Sequence, residues 1–287
     1  MIDVARAGLF LIRNGRLLER LVFAQRFQGA SAEPVINALR AYQNDDGGFG
    51  DALEPDLRGP DSQPIHVDFA FRVMHDVGVA PPDMIAKACS FLGSVGTERG
   101  RVPAILESAM RYPRAEHWQV NAWHADGLNP TAMIAGLLHA MHVGNAWLQQ
   151  ADAFCWRRLT EVKAEDGPTL AAIACFLNNA PDRRRAVTLA EELADAIPEA
   201  NFFALEPEDV QGYALTPLDL APTPNAMVGS LFAPELLDAH LDALEARQQP
   251  DGGWPVTWDP PPGVAALEWR GRETVTALLK LQAYGRI

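Results

Sequence analysis

The sequence predicts an all-α fold in which about six helical hairpins close into an α/α toroid, with an inner and an outer layer of helices. Two observations lead to this prediction. Apolar residues recur with helical spacing along most of the chain, and one glycine-rich turn motif occurs twice. We expect one domain over residues 1–287, a length that suits closed helical architectures.

The helical periodicity divides the chain into about twelve segments, and hardly any segment alternates as a strand would. Several segments begin with a proline at the first helical position, as at Pro64, Pro130, Pro168 and Pro224. The inner helices should be apolar nearly all round, because they contact the outer layer on one side and line a cavity on the other. The predicted helices span residues 3–13, 15–27, 32–43, 64–77, 82–95, 130–142, 146–163, 168–178, 182–197, 224–232, 234–248 and 271–284.

The repeated motif reads Q-x-x-D-G-G-aromatic and occurs from Gln43 to Phe49 and from Gln248 to Trp254. The two copies lie 205 residues apart, which is about four periods of roughly 50 residues. A second echo, A-L-E-P at 52–55 and 204–207, is offset by 152 residues, close to three such periods. Glycines permit a tight turn with positive φ, and the aromatic side chain can fill the gap between hairpins. We therefore predict a structural role for the motif itself.

These two segments resemble the QW-type repeats of squalene and oxidosqualene cyclases and the glycine–aromatic repeats of protein prenyltransferase β subunits. The resemblance covers about a third of the chain and implies a toroid whose central cavity takes an isoprenoid or another apolar substrate. The D-x-D-D motif of class II terpene cyclases and the D-D-x-x-D motif of class I cyclases are absent. None of Cys89, Cys155 and Cys175 stands in the Asp-x-Cys pattern of the prenyltransferase zinc set.

Long loops before the inner helices should meet at the mouth of the cavity, and they are rich in carboxylates and aromatic residues. A carboxyl group in an aromatic pocket has a raised pKa and can act as a general acid, while aromatic faces stabilise a cation. The catalytic candidates are Glu54, Asp56 and Glu206, with His66 as a hydrogen-bond partner. The predicted substrate-binding residues are Arg58, Asp61, Gln63, Trp118, Trp123, His124, Asn129, Tyr213, Trp258, Trp269 and Arg270.

The formal charge of −13 argues against nucleic acid and anionic membrane surfaces as partners. The N-terminal apolar stretch is interrupted by Arg13 and has neither the length of a membrane span nor the pattern of a signal peptide. We therefore expect a cytoplasmic protein without stable membrane anchoring. No metal site is predicted, and the sequence indicates no cofactor; Mg²⁺ is a candidate only if the substrate is a diphosphate.

Three functions fit these observations. The first is a terpene cyclase-like or prenyltransferase-like enzyme that starts a cyclisation or isomerisation of an apolar substrate with a carboxylic acid. The second is a carbohydrate-active toroid enzyme that uses Glu54 and Glu206 as paired carboxylates. The third is a non-catalytic binding module, whose interior would be filled by side chains.

Overall fold

The structure is a computed structural model that describes residues 2–97, 100–120, 127–161, 163–261 and 263–287. Twelve α-helices and no β-strand occur in these residues, as the periodicity predicts. Trp123 and His124 lie outside the described residues. The helices are α1 (Val4–Asn14), α2 (Leu17–Gln28), α3 (Glu33–Arg40), α4 (Pro64–Val77), α5 (Pro82–Val95), α6 (Leu128–Ala140), α7 (Ala146–Arg158), α8 (Gly167–Asn179), α9 (Arg183–Ala194), α10 (Pro217–Leu220), α11 (Pro234–Ala246) and α12 (Ala265–Ala283).

The even-numbered helices form an inner layer and the odd-numbered helices an outer one. Along the inner layer α2 packs on α4, α4 on α6, α6 on α8, α8 on α10, and α12 returns to α2. The remaining junction, between α10 and α12, is made by an ion pair of Lys280 Nζ with Asp219 Oδ1 (2.6 Å) and a hydrogen bond from Tyr284 Oη to the carbonyl of Ala221 (2.7 Å). The hairpins therefore close into a ring, and the predicted α/α toroid is confirmed.

The inner helices α4, α6 and α8 are buried on almost every face, whereas outer helices such as α1 and α9 bury one stripe. This difference follows from position, because an inner helix contacts neighbours on both sides and an outer helix faces water. The expectation of inner helices buried all round therefore holds for these three.

Two predicted helices differ from the observed ones by more than a shift or shortening of the C-terminal end. The segment 224–232 contains only the 3-10 turn Met227–Leu231, and the inner helix of that hairpin is the four-residue α10. Thr216 and Asp219 begin α10 with a reciprocal capping box, and Pro222 follows too soon for further turns. Helix α12 begins at Ala265 rather than at residue 271, and its extra turns carry Glu268 and Trp269.

The glutamine of each motif copy joins its hairpin to the outer helix of the next. Gln43 Nε2 donates to the carbonyls of Gly47 (2.9 Å) and Met84 (3.0 Å), and Met84 lies in the first turn of α5. Gln248 Nε2 donates to the carbonyls of Gly252 (3.0 Å) and Asp3 (3.0 Å), and Asp3 caps α1. The second copy thus repeats the geometry of the first and connects the last hairpin to the first one.

In each copy, the first glycine lies against the same outer helix that the glutamine of that copy contacts. A Cβ on Gly47 would lie 2.4 Å from the carbonyl oxygen of Lys87, and one on Gly252 would lie 2.3 Å from that of Arg6. Both glycines have positive φ, +91° and +97°. Only a residue without a side chain allows this approach, so the glycines are required by packing as well as by the turn.

A third copy of the glycine turn, which the sequence motif does not reveal, occurs between α5 and α6. Thr97 N–H donates to the carbonyl of Arg101 (3.0 Å), as the equivalent residues of the other copies do. Gly100 has a φ of +99°, and its Cβ would lie 2.4 Å from the backbone nitrogen of Ala151 in α7. Val102 takes the place of the buried aromatic residue. The repeat therefore persists in geometry where its sequence pattern has been lost.

Replacing Gly252 by alanine should destabilise the ring at its closure. Gly263 has a similar φ (+102° against +97°), but a Cβ added there would meet no described atom within 4 Å, so Gly263→Ala isolates the cost of the backbone conformation, about 1–2 kcal/mol. Gly252→Ala should lose about 2 kcal/mol more from its clash with Arg6. Urea unfolding followed by circular dichroism measures both variants, and equal losses would contradict this account of ring closure.

Candidate active site

Three parts of the chain meet at one end of the ring. The loop of residues 41–63 is bonded to the loop of residues 106–120, because Arg58 N–H donates to the carbonyl of Pro113 (3.0 Å) and Ala115 N–H to that of Asp56 (2.8 Å). The Arg58 guanidinium also forms an ion pair with Glu268 at the start of α12. These three parts of the chain are therefore in contact, as expected for segments at the mouth of the cavity.

A buried arginine positions the segment that leads into Glu54. Arg16 Nη1 donates to the carbonyls of Ala52 (2.8 Å) and Leu53 (3.2 Å), while Nη2 pairs with Glu19 Oε1 (2.6 Å). Asp51 and Ala52 have φ values of +56° and +57°, which cost energy in residues that carry a Cβ. The hydrogen bonds from Arg16 hold the chain in this turn and fix the course of the residues that follow.

Glu54 is a fully enclosed carboxyl group. Its side chain is 2% exposed, and Oε2 has no hydrogen-bond partner among the described residues. Burial raises the pKa of Glu54 well above its usual range, and the neighbouring negative charge of Asp56 raises it further. The indole N–H of Trp118 and the backbone N–H of Asp56 lie close enough to oppose this shift, but they do not cancel it. Burial and the nearby Asp56 both favour the protonated form of Glu54.

Asp56 is just as buried, but it is hydrogen-bonded. Trp269 Nε1 donates to Asp56 Oδ1 at 2.7 Å. Burial raises the pKa of Asp56, while the Trp269 hydrogen bond and the nearby His117 favour its charged form. The two neighbouring carboxyl groups therefore differ in environment: Glu54 Oε2 has no hydrogen-bond partner among the described residues, whereas Asp56 accepts a hydrogen bond from an indole N–H.

A row of aromatic rings extends from Asp56 across the end of the ring. Trp269 packs edge-to-face with Phe69 on α4 (centroids 5.9 Å apart) and with Trp258 (5.0 Å), and Trp258 packs edge-to-face with Tyr213 (5.4 Å). A cavity of about 530 Å³ opens to solvent beside Trp258. The aromatic row thus connects the carboxyl pair with a surface opening.

Two of the predicted site residues support the backbone. Gln63 Nε2 donates to Ser108 Oγ (2.8 Å), and Gln63 Oε1 accepts from the Leu106 N–H (2.6 Å), so this side chain joins the two loops. His66 is fully buried, and its Nδ1 donates to the carbonyl of Phe49 (3.1 Å). Burial lowers the pKa of His66 to about 4, so the imidazole is neutral and its bond is to the backbone, not to a carboxyl group.

Two further predicted residues form ion pairs outside the carboxyl pair. Asp61 binds Arg111 at the exposed rim (2.9 Å). Arg270 pairs with Asp251 of the second motif copy (2.9 Å) and stacks on Phe10 of α1, with 4.4 Å from its guanidinium carbon to the ring centroid. Arg270 therefore strengthens the closure of the ring. Its position in the wall of the 530 Å³ cavity still leaves it in reach of a ligand there.

Glu206 and Asn129 do not join the carboxyl pair. Glu206 is exposed before the 3-10 turn Pro207–Asp209, although it shares the A-L-E-P pattern with Glu54. In the first copy of this pattern, Arg16 donates hydrogen bonds to the carbonyls of Ala52 and Leu53. Among the described residues, no arginine does so in the second copy, where the Leu205 carbonyl accepts a hydrogen bond from His240 Nε2 (2.8 Å). Asn129 lies half-buried in the first turn of α6.

The inner helices also carry a set of polar residues that lie outside the predicted site. Asp68 and Arg72 form an ion pair one turn apart on α4 (2.7 Å), and Arg272 on α12 lies over the Phe69 ring, 4.3 Å from its centroid. A signal was available: Asp68 and Arg72 are charged residues four positions apart in an otherwise apolar helix. Such residues are expensive to bury and are kept for pairing or for function.

No group of three or more His, Cys, Asp or Glu residues among those described has the arrangement of a metal site. His139 and His142, which lie three residues apart, do not form one; His139 instead binds Asp152 (2.8 Å). Within the described part of the chain no helix has both the length and the hydropathy needed to cross a membrane.

Comparison with known proteins gives a fold but no family. No family model and no curated protein matches the sequence. A crystal structure of a protein from Actinoplanes aligns with a TM-score of 0.56 at 17% identity over 98% of each chain, which supports the toroid fold. An arginine-to-alanine variant of the type II terpene cyclase MstE from Scytonema, in complex with geranylgeranyl dihydroxybenzoate, aligns with a TM-score of 0.43 at 15% identity over 96% of this chain and 86% of that one.

The raised pKa of Glu54 predicts how stability depends on pH. The folded protein binds this proton more tightly than the unfolded chain, so the stabilisation is complete below the ordinary pKa of about 4.5 and is lost as pH rises through the folded value. Glu54→Gln removes this loss, and each unit of pKa shift is worth about 1.4 kcal/mol. Measured by urea unfolding, the stability of Glu54→Gln relative to wild type should therefore rise between pH 5 and pH 8. The exposed Glu206→Gln should show no such trend, and a flat difference for Glu54→Gln would refute the assignment.

Proposed function

We propose that this protein is an enzyme that protonates a carbon–carbon double bond of an apolar, isoprenoid-like substrate and so starts a cyclisation or isomerisation. The observation that carries the proposal is the pair of buried carboxyl groups, Glu54 and Asp56, at one end of a row of aromatic rings inside a closed helical ring. A strong local acid and cation-stabilising walls are the two requirements of such a reaction.

Each residue has a distinct role in this chemistry. The protonated carboxyl of Glu54 gives its proton to one carbon of the double bond, and the positive charge appears on the other carbon. Asp56, whose charged form the Trp269 N–H favours, and the faces of Trp258 and Tyr213 stabilise that cation. Loss of a proton from the cation forms a new double bond, and the proton returned to Glu54 completes the cycle. Glu54 Oε2 has no hydrogen-bond partner among the described residues, and we assign to this oxygen the proton that the reaction requires.

The carbohydrate-active alternative is less well supported. That hypothesis pairs Glu54 with Glu206, which is exposed, whereas Glu54 is buried. A glycosidase needs two carboxyl groups that face one sugar across an open cleft. Glu54 and Asp56 are both 2% exposed, which suits a small apolar reactant better than a hydrated saccharide.

Conversion of linear isoprenoids tests the proposal. Purified protein is incubated with farnesol, geranylgeraniol and squalene, and products are identified by gas chromatography with mass spectrometry. Glu54→Gln should reduce turnover at least about 10²-fold, the usual contribution of a general acid, and Asp56→Asn should also reduce it. Glu206→Gln is the matched control, because it makes the same change at the second A-L-E-P and should leave turnover unchanged. Turnover that survives in Glu54→Gln, or a wild type that converts no isoprenoid, would exclude this function.

A further inference from the structure

The interior of the ring contains charged residues from several of its walls. Asp68 and Arg72 come from α4, Asp219 from α10, and Arg272, Glu273 and Lys280 from α12. Arg72 is close enough to influence the titration of Cys175 on α8, Tyr213 in the preceding loop of α10, and Arg272. The Arg72 side chain is nevertheless 35% exposed, so the walls that surround it leave space.

Charge pairing in this interior is incomplete. Arg72 binds Asp68 with two hydrogen bonds (2.7 and 3.1 Å), and Lys280 binds Asp219 (2.6 Å). Arg272 makes no ion pair with any described residue; its contact is the face of Phe69. Glu273, its neighbour in sequence, forms no ion pair with Arg272 among the described residues, and burial raises the pKa of that carboxyl group.

Arg272 is therefore a half-buried cation without an ion pair among the described residues. Burial lowers the pKa of Arg272, and the positive charge of Arg72 lowers it further. Asp76 and Glu19 oppose this shift in pKa without cancelling it. A partly buried cation close to a second cation costs stability, and such a cost is common at sites built to bind a ligand of opposite charge. A guanidinium group binds carboxylate and phosphate oxygens through paired N–H donors, and Arg72 has exposed surface with which to contribute.

We propose that Arg272, together with Arg72, binds an anionic oxyacid group, a carboxylate or a phosphate, carried by the substrate. The proposal rests on the proposed function and narrows its substrate to an amphiphile with an anionic head and an unsaturated apolar chain. Arg272 lies on Phe69, Phe69 packs on Trp269, and Trp269 bonds to Asp56. A head bound at Arg272 thus places the following chain along the aromatic row and beside the carboxyl pair.

Three ligands that share one farnesyl chain and differ only in the head group measure the contribution of the head group to affinity. Farnesoate, farnesyl monophosphate and uncharged farnesol are titrated into wild type by isothermal calorimetry without metal. At least one of the two anions should bind about tenfold or more tightly than farnesol. The anion that binds more tightly identifies the oxyacid, and either preference supports the site. Farnesol that binds as tightly as both anions would overturn it.

Arg272→Gln should remove the preference for the anion and leave farnesol affinity within about twofold, while Arg272→Lys should keep part of the preference. Arg13→Gln, at an exposed position, controls for the change in net charge. Arg272→Gln should also melt at a higher temperature than wild type, because it relieves the repulsion between Arg272 and Arg72. The anion should raise the melting temperature of wild type only. An anion preference that persists in Arg272→Gln would refute the assignment.

The two proposals fail separately. If wild type converts a neutral isoprenoid but shows no anion preference, the anion site is excluded and the enzymatic function stands. If Arg272 confers anion binding and no isoprenoid is converted, the site stands and the acid-initiated reaction is excluded. Glu54→Gln should bind the anion as wild type does, because Glu54 lies at the opposite end of the Phe69–Trp269 pair.

Discussion

The close approach of a glycine corner to the next outer helix is the contact on which the ring depends. Gly47 and Gly252 both bring backbone against backbone, on Lys87 and Arg6 respectively, and in each case the glutamine of the motif adds a hydrogen bond to the start of the same helix. The second of these contacts joins residues more than 240 positions apart in the chain. It turns a row of hairpins into a closed ring, and a closed ring has an interior that an open row of hairpins lacks.

Closure also decides where the chemistry can occur. Helix α12 meets α1 and α2 only because the ring closes, and this contact brings Glu268 to Arg58 and Trp269 to Asp56. The surroundings of the carboxyl pair thus come from both ends of the chain. Burial of Glu54 and Asp56, which gives them raised pKa values, is a product of tertiary assembly, and the short segment that contains them has no such property by itself.

The sequence predicted the parts of the fold that depend on local pattern. Helical periodicity located nearly all helices, and the two motif copies indicated the ring. Two kinds of structural feature could not be predicted from the sequence pattern. A repeat without its sequence pattern, as at Gly100, keeps only the backbone geometry, and α10 is too short to show a period. The A-L-E-P echo misled for a related reason: Glu54 is buried because Arg16 clamps the preceding carbonyls, whereas Glu206 is exposed, and no local pattern encodes a clamp supplied from another helix.

The charged interior bears on the choice between a scaffold and an enzyme. A ring that served only to hold its shape would be most stable with an apolar centre, since replacing buried ion pairs by well-packed apolar residues is often stabilising. Here α4 and α12 instead place Arg72 and Arg272 near one another, with like charges and a single carboxylate bound to the first. Such an arrangement lowers the stability of the protein, and the anionic ligand that we propose would reverse that loss on binding. The polar interior and the aromatic row therefore fit one amphiphilic molecule better than they fit a purely apolar one, or a filled core.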